Sequence, residues 1–460
     1  MRAFLAILFL SLAGCAGSPV EPEPPRNVIL ILADDLGWAG TSVQLDPENP
    51  NSRSDFYETP NLERLAAEGL RFSNAYAPHP NCSPTRLAIQ TGKSPAQLRM
   101  SDIIGRGSGP YYEGLPLIPP QHIDDIPSKE TTIAELSKAA DPERVTAHFG
   151  KWHLGGGGPG EHGYDEHSGD TTNREGGSEP PDPKRTVSVT DSAVDFLEKR
   201  AGDGRRFYMQ VSYYAVHLAI RAQPETVARY EAAEPGARHK HPGHAAMTTD
   251  LDTGVGRILD ALDRLGLAED VYVVFTSDNG SYTHAGAEWV TTNEPLRGQK
   301  ASTWEGGIRV PMIVRGPGVP AGAHSATAVG GIDLYATIRE LLEVEAPLPA
   351  GVEGGSLAGL IRGRSDLVER AQPLVWHFPH YQTDKGNRPS TAIREGEWKL
   401  VRHYEQMRDE LYRLNEDLGE SEDRAKHEPE VAEKLGRRLD AYLAAIDAPM
   451  AKPNPDYVGE

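Results

Sequence analysis

Cysteine is almost missing from this chain: its 460 residues hold two, Cys15 and Cys82. With one of them close to the N-terminus there is no disulfide framework, so the internal Cys82 asks for a chemical explanation. Positive charge is also short. Against 47 Lys and Arg stand 67 Asp and Glu, a net charge of −20. Such a surface repels polyanions at long range and argues against nucleic acid as a partner. Any anionic ligand must instead meet a local cluster of Lys, Arg and His. What is present is the composition of a globular protein, 38% hydrophobic and 25% charged, with 47 Gly and 37 Pro marking many turns. The length predicts one large domain and a smaller one.

The first residues stand apart. Met1-Arg2 is a positive start, Phe4 to Leu10 an apolar run too short to span a bilayer, and Leu12-Ala13-Gly14-Cys15 ends on cysteine. The last four resemble a bacterial lipobox, which implies export, cleavage before Cys15 and lipidation of that residue. An ordinary signal peptide with an incidental cysteine is the other reading. Residues 16–26 (AGSPVEPEPPR) form a Pro-rich tether. The implied location is a bacterial membrane, on its periplasmic or outer-membrane face, held by lipid only.

From Asn27 onward NVILILADDLGW reads as a buried strand running into two acids and a glycine, and VYVVFTSDNG at 271–280 repeats the theme. Val145 to Phe149, an alternating Arg206 to Tyr214, and VPMIVRGPG at 310–318 are further strands. Helices are expected from Thr59, from Thr132, and over 187–200, 247–265 and 334–342. Residues 155–185 read as an irregular surface loop. The pattern predicts an α/β fold, a mostly parallel central sheet sandwiched by helices. Beyond 370, PLVWHFPHY, a hairpin or meander over 392–414 and an amphipathic helix over 429–446 predict a smaller C-terminal α+β subdomain with a short antiparallel sheet.

In such sheets a ligand site lies at the carboxyl ends of the strands, where both acidic pairs fall. Asp34, Asp35, Asp278 and Asn279 offer hard oxygen donors, suited to calcium or magnesium and not to zinc. Either pair alone would more readily cap a helix or turn.

The segment NCSPTRLAIQTGKSP at 81–95 resembles the modification signature of the type I, formylglycine-dependent sulfatases of the alkaline phosphatase superfamily: Cys82-x-Pro84-x-Arg86 followed by Thr91-Gly92. The resemblance extends through DDLGW, TPNLERLAAEGLRFSNAYA, GKWHLG, SYYAVH, TSDNG, PLRGQKASTWEGGIRVP and ELYRLNEDLGE, in the family's order. It implies a sulfuric ester hydrolase whose Cys82 is converted to formylglycine by a maturation enzyme and acts as its hydrate, with Asp278 as base. Asp34, Asp35, Cys82, Asp278 and Asn279 would ligate one calcium ion. Arg86 would orient the hydrate, Lys151, His153 and Lys300 would contact the sulfate and leaving group, and His217 would move the leaving-group proton. His284, Glu305 and Arg309 are assigned to loop packing and ion pairing.

The expected division is a lipoprotein signal peptide (1–15), the tether (16–26), the catalytic domain (27–370) and the C-terminal subdomain (371–460). The substrate expected is a sulfated glycan or an aryl sulfate, and His377, His380 and Arg388 are candidates to touch its sugar. The sequence departs from the family's pattern in a polar insert after DDLGW (residues 39–56) and in Gln299, where glycine is common. Rival readings are a phosphomonoester or phosphonate hydrolase of the same superfamily, and a glycan-binding lipoprotein that is catalytically silent.

Overall fold

The computed structural model describes residues 27–106, 113–382 and 386–458. The signal peptide, the tether and Cys15 lie outside the described residues. Among those described, no helix is long and apolar enough to cross a membrane.

The main sheet is built from β1 (Asn27–Ala33), β2 (Leu70–Phe72), β3 (Val145–Gly150), β4 (Glu166–His167), β5 (Phe207–Ser212), β6 (Val271–Ser277), β7 (Met312–Arg315) and β8 (Ala323–Ser325). Their order is β8-β2-β7-β6-β1-β5-β3-β4. β1 runs parallel to β5 and β6, β3 to β4 and β5, and β2 to β8. Only β7 is antiparallel to its neighbours, so the sheet is mixed but mostly parallel.

Each central strand is buried on both sides, and its alternate residues feed two cores. Helices α1 (Pro60–Ala67), α2 (Cys82–Thr91), α3 (Ile133–Ala140), α4 (Thr186–Asp203), α5 (Pro242–Arg264) and α6 (Leu334–Leu341) cover the sheet. Ile29, Ile31, Val273 and Phe275 pack with α1, α4 and α5. Val28, Leu30, Leu32 and Val274 pack with α2, α3 and α6. Thr132 starts α3 through a reciprocal cap with Glu135, which is why the sequence marks that start so clearly.

Two segments differ from the sequence reading. β5 alternates in polarity but not in burial: its polar face is enclosed, with Gln210 accepting from Gln90 at 2.8 Å and donating to Ser212 at 3.1 Å. The 155–185 segment is irregular but not merely superficial. Pro159, His162, Thr171 and Lys184 are buried, and Thr171 donates to the Gly150 carbonyl at 2.7 Å.

Register does the essential positioning. Gly150 lies beside Ser212, Ser212 beside Leu32, and Ala33 beside Ser277. Lys151, Asp34 and Asp278 therefore leave the sheet at one edge.

The C-terminal part is an antiparallel meander of β9 (Leu374–Phe378), β10 (Ser390–Glu395), β11 (Trp398–His403) and β12 (Arg408–Arg413), with helix α7 (Pro429–Ala445). One face packs Ile393, Leu400 and Leu411 under Leu435, Leu439 and Tyr442 of α7. The other packs Trp376, Ala392, Val401 and Tyr412 against Tyr76 and Ile308 of the larger part.

A wholly buried ion network cements that second contact. The Lys399 ammonium lies 2.9 Å from Glu305 and 2.7 Å from Glu420, with no side chain of the three exposed. Tyr76 donates to Glu305 at 2.7 Å, and Glu420 accepts from the Glu305 backbone N–H at 2.7 Å. Burial opposes ionisation of Glu305, but Lys399, Arg309 and Arg394 hold its pKa below the usual range. For Glu420 burial wins, and the charge of Glu305 helps to raise it to about 7. Removing the shared cation strands buried negative charge, so Lys399→Met is expected to cost about 3–5 kcal/mol. A urea unfolding curve with its midpoint near the wild-type value would contradict this.

Candidate active site

Cys82 is the first residue of α2, where free backbone N–H groups and the helix dipole favour negative charge. Pro84 fits the same first turn because its missing N–H has no helical partner there. Gly92 ends the helix at φ 67°, and a side chain there would meet Tyr335 and Val352. The spacing of the signature thus describes one short buried helix, stopped by the glycine. Cys82 is 1% exposed, with its Sγ 3.4 Å from His153 Nδ1.

Three carboxylates face three cations around it. Lys151 donates to Asp34 at 2.5 Å, Lys300 donates to Asp35 at 2.5 Å, and Arg86 reaches Asp278 through two nitrogens at 3.1 and 2.7 Å. Asn279 donates to Asp35 at 2.7 Å, and Asp278 accepts from the Asp35 backbone N–H at 3.1 Å. Asp35 takes φ 62°, which bends the chain across the sheet edge.

The charges decide each ionisation. Burial alone would raise the Asp34 carboxyl, but Lys151, His217 and Arg86 hold it well below its usual range. Asp35 is lowered in the same way, against burial, by Lys300 and His217. Asp278 goes the other way: burial and the neighbouring Asp34 push it up to about 7 despite Arg86. Burial would weaken the Lys300 ammonium, but Asp35 and the other anions around it raise its pKa. Burial, with Lys151 and Arg86, keeps His153 neutral.

His217 follows β5 on a loop and brings Nε2 to 3.8 Å from Asp35. Its Nδ1–H donates to the Leu218 carbonyl at 2.5 Å, which leaves the Nε2 lone pair facing the cluster. Burial and Lys300 lower its pKa to about 4. Asp34, Asp35 and His217 bring ligand atoms within 4.8 Å of one another. Two buried oxygens here, Asp34 Oδ1 and Asn279 Oδ1, have no hydrogen-bond partner. Orphaned oxygen acceptors beside anionic carboxylates fit a hard divalent cation.

The residues singled out by sequence are therefore brought together: Asp34, Asp35, Cys82, Arg86, Lys151, His153, His217, Asp278, Asn279 and Lys300. The three candidates for sugar contact fare differently. His377 has both ring nitrogens committed, to Thr391 at 2.7 Å and to the Pro449 carbonyl at 2.8 Å, and is buried. His380 bonds Ser101 at 2.8 Å and lies 4.0 Å from Asp102, whose other oxygen accepts from Asn81 at 2.9 Å, next to Cys82. Arg388 is half exposed and paired with Glu405 at 2.8 Å.

Gln299 accepts from Thr283 at 2.7 Å and ties the Lys300 segment to the neighbouring loop. The polar insert is anchored by buried Val43 and Leu45, and its Asp55 accepts from the Arg238 and His239 backbone at 2.9 and 3.0 Å. A charged side chain near the cluster that nothing in the sequence marked is Lys184. It sits in the segment read as a surface loop, in no recognisable motif.

Comparison with known proteins agrees with this geometry. The family profile described as Sulfatase matches residues 26–344, and one described as N-sulphoglucosamine sulphohydrolase, C-terminal, matches residues 299–445. An N-acetylgalactosamine-6-sulfatase of Sus scrofa is 30% identical, over 81% of this chain and 72% of its own. A sulfatase of Formosa agariphila is 29% identical over 96% of this chain and 93% of its own. Among solved structures, Ps i-CgsB in complex with k-i-k-neocarrahexaose superposes with a TM-score of 0.74 at 24% identity, over 95% of each chain. On the match across most of its length, this chain belongs to the sulfatase family and is a sulfuric ester hydrolase.

Proposed function

We propose that the protein removes sulfate from a sulfated carbohydrate, using formylglycine at position 82 and one calcium ion. The observation that carries this reading is the meeting of Cys82, at a helix N-terminus, with buried carboxylates that are each matched to a cation. A site that handles a sulfate ester must stabilise charge growing on oxygen, and fixed cations in a water-poor cleft do that best. Of the proteins named above, one is called an N-acetylgalactosamine-6-sulfatase and another is solved in complex with k-i-k-neocarrahexaose. That favours a sugar over a small aryl ester.

Asp34, Asp35, Asp278, Asn279 and the modified residue 82 would hold calcium, the two orphaned oxygens turning to it. Bound there, calcium supplies a positive charge for a sulfate oxygen, and formylglycine as its hydrate supplies the oxygen nucleophile toward sulfur. The chain's own residues do the rest. Arg86 fixes Asp278 through two nitrogens, which orients the carboxylate assigned to take up the nucleophile's proton. Lys151 and Lys300 are held on the cluster by Asp34 and Asp35, so a sulfate oxygen meets cations already in place. His153 sits over residue 82 in its neutral form, able to donate a hydrogen bond. His217 offers its Nε2 lone pair and must first gain a proton there before it can give one to a leaving oxygen. His380, one contact removed from Asn81, and the half-exposed Arg388 are assigned to the sugar.

Three outcomes are expected. Protein made beside a maturation enzyme should carry formylglycine at position 82 by peptide mass spectrometry and hydrolyse sulfated oligosaccharides much faster than matched phosphate esters. Cys82→Ala should retain the fold and lose turnover. Active protein with an intact thiol at Cys82, or a preference for phosphate, would refute the reading. Chelation should abolish the rate and calcium restore it, whereas Asp35→Ala should bind calcium too weakly for recovery. A chelated enzyme that keeps its rate would remove the metal from the scheme. Finally, the mature chain should start at a lipidated Cys15 and partition into detergent, a property lost in Cys15→Ser. Wild-type protein that stays in the aqueous phase would rule out the anchor.

A further inference from the structure

Lys184 is 2% exposed, yet among the described residues its ammonium has no hydrogen-bond or ion-pair partner. That sets it apart from Lys151 and Lys300, each of which holds a carboxylate at 2.5 Å. A buried ammonium without a counter-ion is costly, and a bound anion would supply the missing charge.

Its position follows from the stitching of the loop. Trp152 and His153 donate their backbone N–H groups to Thr171, at 2.9 Å to its hydroxyl and 2.8 Å to its carbonyl. On the other side Arg221 pairs with Glu179 at 2.6 Å, and Gln223 donates to the Pro181 carbonyl at 3.1 Å. The turn carrying Lys184 is thus bracketed by the segment of Lys151 and His153 and the segment of His217. Both Lys184 and Arg185 adopt left-handed backbone angles, φ 56° and 52°, unusual for residues with side chains. Asp182 and Ser178 fix the turn: Ser178 donates to the Asp182 carbonyl at 2.6 Å, and Asp182 accepts from the Val187 N–H at 2.8 Å. Burial lowers the Lys184 pKa to about 8, and the charges acting on it are Asp34, Lys151, Asp35 and Arg221, in that order. Lys184 is thus a buried cation in a loop tied to both segments that carry Lys151, His153 and His217, and it belongs to none of the ion pairs inside the cluster.

We propose that Lys184 is a further anion-binding residue of this site, its ammonium receiving a charged oxygen of the bound substrate. This rests on the reading of the protein as a hydrolase of sulfated sugars. The oxygen belongs either to the reacting sulfate or to a second sulfate on the same sugar, and the two sources can be separated. Matured wild type, Lys184→Met and Lys184→Arg are compared on a monosulfated aryl ester and on a disulfated monosaccharide. Inorganic sulfate serves as a competitive inhibitor, and a melting curve checks the fold. Lys184→Met is expected to lower kcat/KM on the disulfated sugar by about tenfold or more, with Lys184→Arg recovering most of the loss. An equal loss on the aryl ester, with weaker inhibition by sulfate, assigns the contact to the reacting group. A loss confined to the sugar assigns it to the second sulfate. Unchanged kcat/KM on both, or a loss that arginine does not recover, overturns the proposal. Should Lys184→Met fold poorly, Lys184→Gln replaces it. If wild type turns over no sulfate ester, the parent reading fails. Calorimetric binding of the disulfated sugar then still decides the role of Lys184: equal affinity in wild type and variant overturns it.

Discussion

Carboxylates gathered at one sheet edge repel each other, and the rest of the site is arranged around that repulsion. Two like charges about 4 Å apart oppose each other by roughly 4 kcal/mol at the effective dielectric near a protein surface, and more when buried. Asp34, Asp35 and Asp278 are tolerated because Lys151, Lys300 and Arg86 each neutralise one of them. The cations come from different parts of the chain, after β3, before β7 and from α2. Only a sheet in strict register, with a helix laid against its end, brings all six groups together. The same balance tunes the chemistry: the two acids facing lysines stay ionised, while Asp278 keeps a proton to higher pH.

Much of this was legible in the sequence because it is local. NVILILADD and VYVVFTSDNG write a buried strand and its acidic end in one stretch, and Cys82 to Gly92 writes a whole helix with its stop. The single internal cysteine drew attention to a residue that the structure buries at the head of α2, beside His153. What escaped the sequence is what depends on distant partners. His377 reads like any polar strand residue, but Thr391 and Pro449 take both its nitrogens. β5 alternates in polarity, yet Gln90 arrives from α2 to enclose its polar face. Lys184 is invisible because its loop owes its shape to Thr171, Glu179 and Pro181, none of them part of a motif.

The C-terminal part braces one side of the site. Asn387 donates to the Lys300 carbonyl at 3.1 Å, Thr303 and Ser390 share a hydrogen bond at 2.9 Å, and Glu305 is locked by Lys399 and Glu420. The segment with Lys300 is thus clamped between the main sheet edge and the meander. Its glycines allow the clamp to close: a side chain on Gly280 would fall 1.9 Å from the Gly306 carbonyl, and one on Gly307 2.1 Å from that of Ser302. A lysine held this way has little freedom to leave its carboxylate.

The clamp also sets an order of events. Lys399 lies 94 residues beyond Glu305, so the segment that presents Lys300 has only the nearby Arg309 to offset its buried glutamate until most of the chain has emerged. Domains fold as units, with early parts first during synthesis. The strands that carry the acids are complete by Ser277, but the segment of the lysine that neutralises Asp35 receives its bracing contacts from the last strands. A chain that ends before the meander therefore presents Lys300 on a segment without the contacts of Asn387 and Lys399.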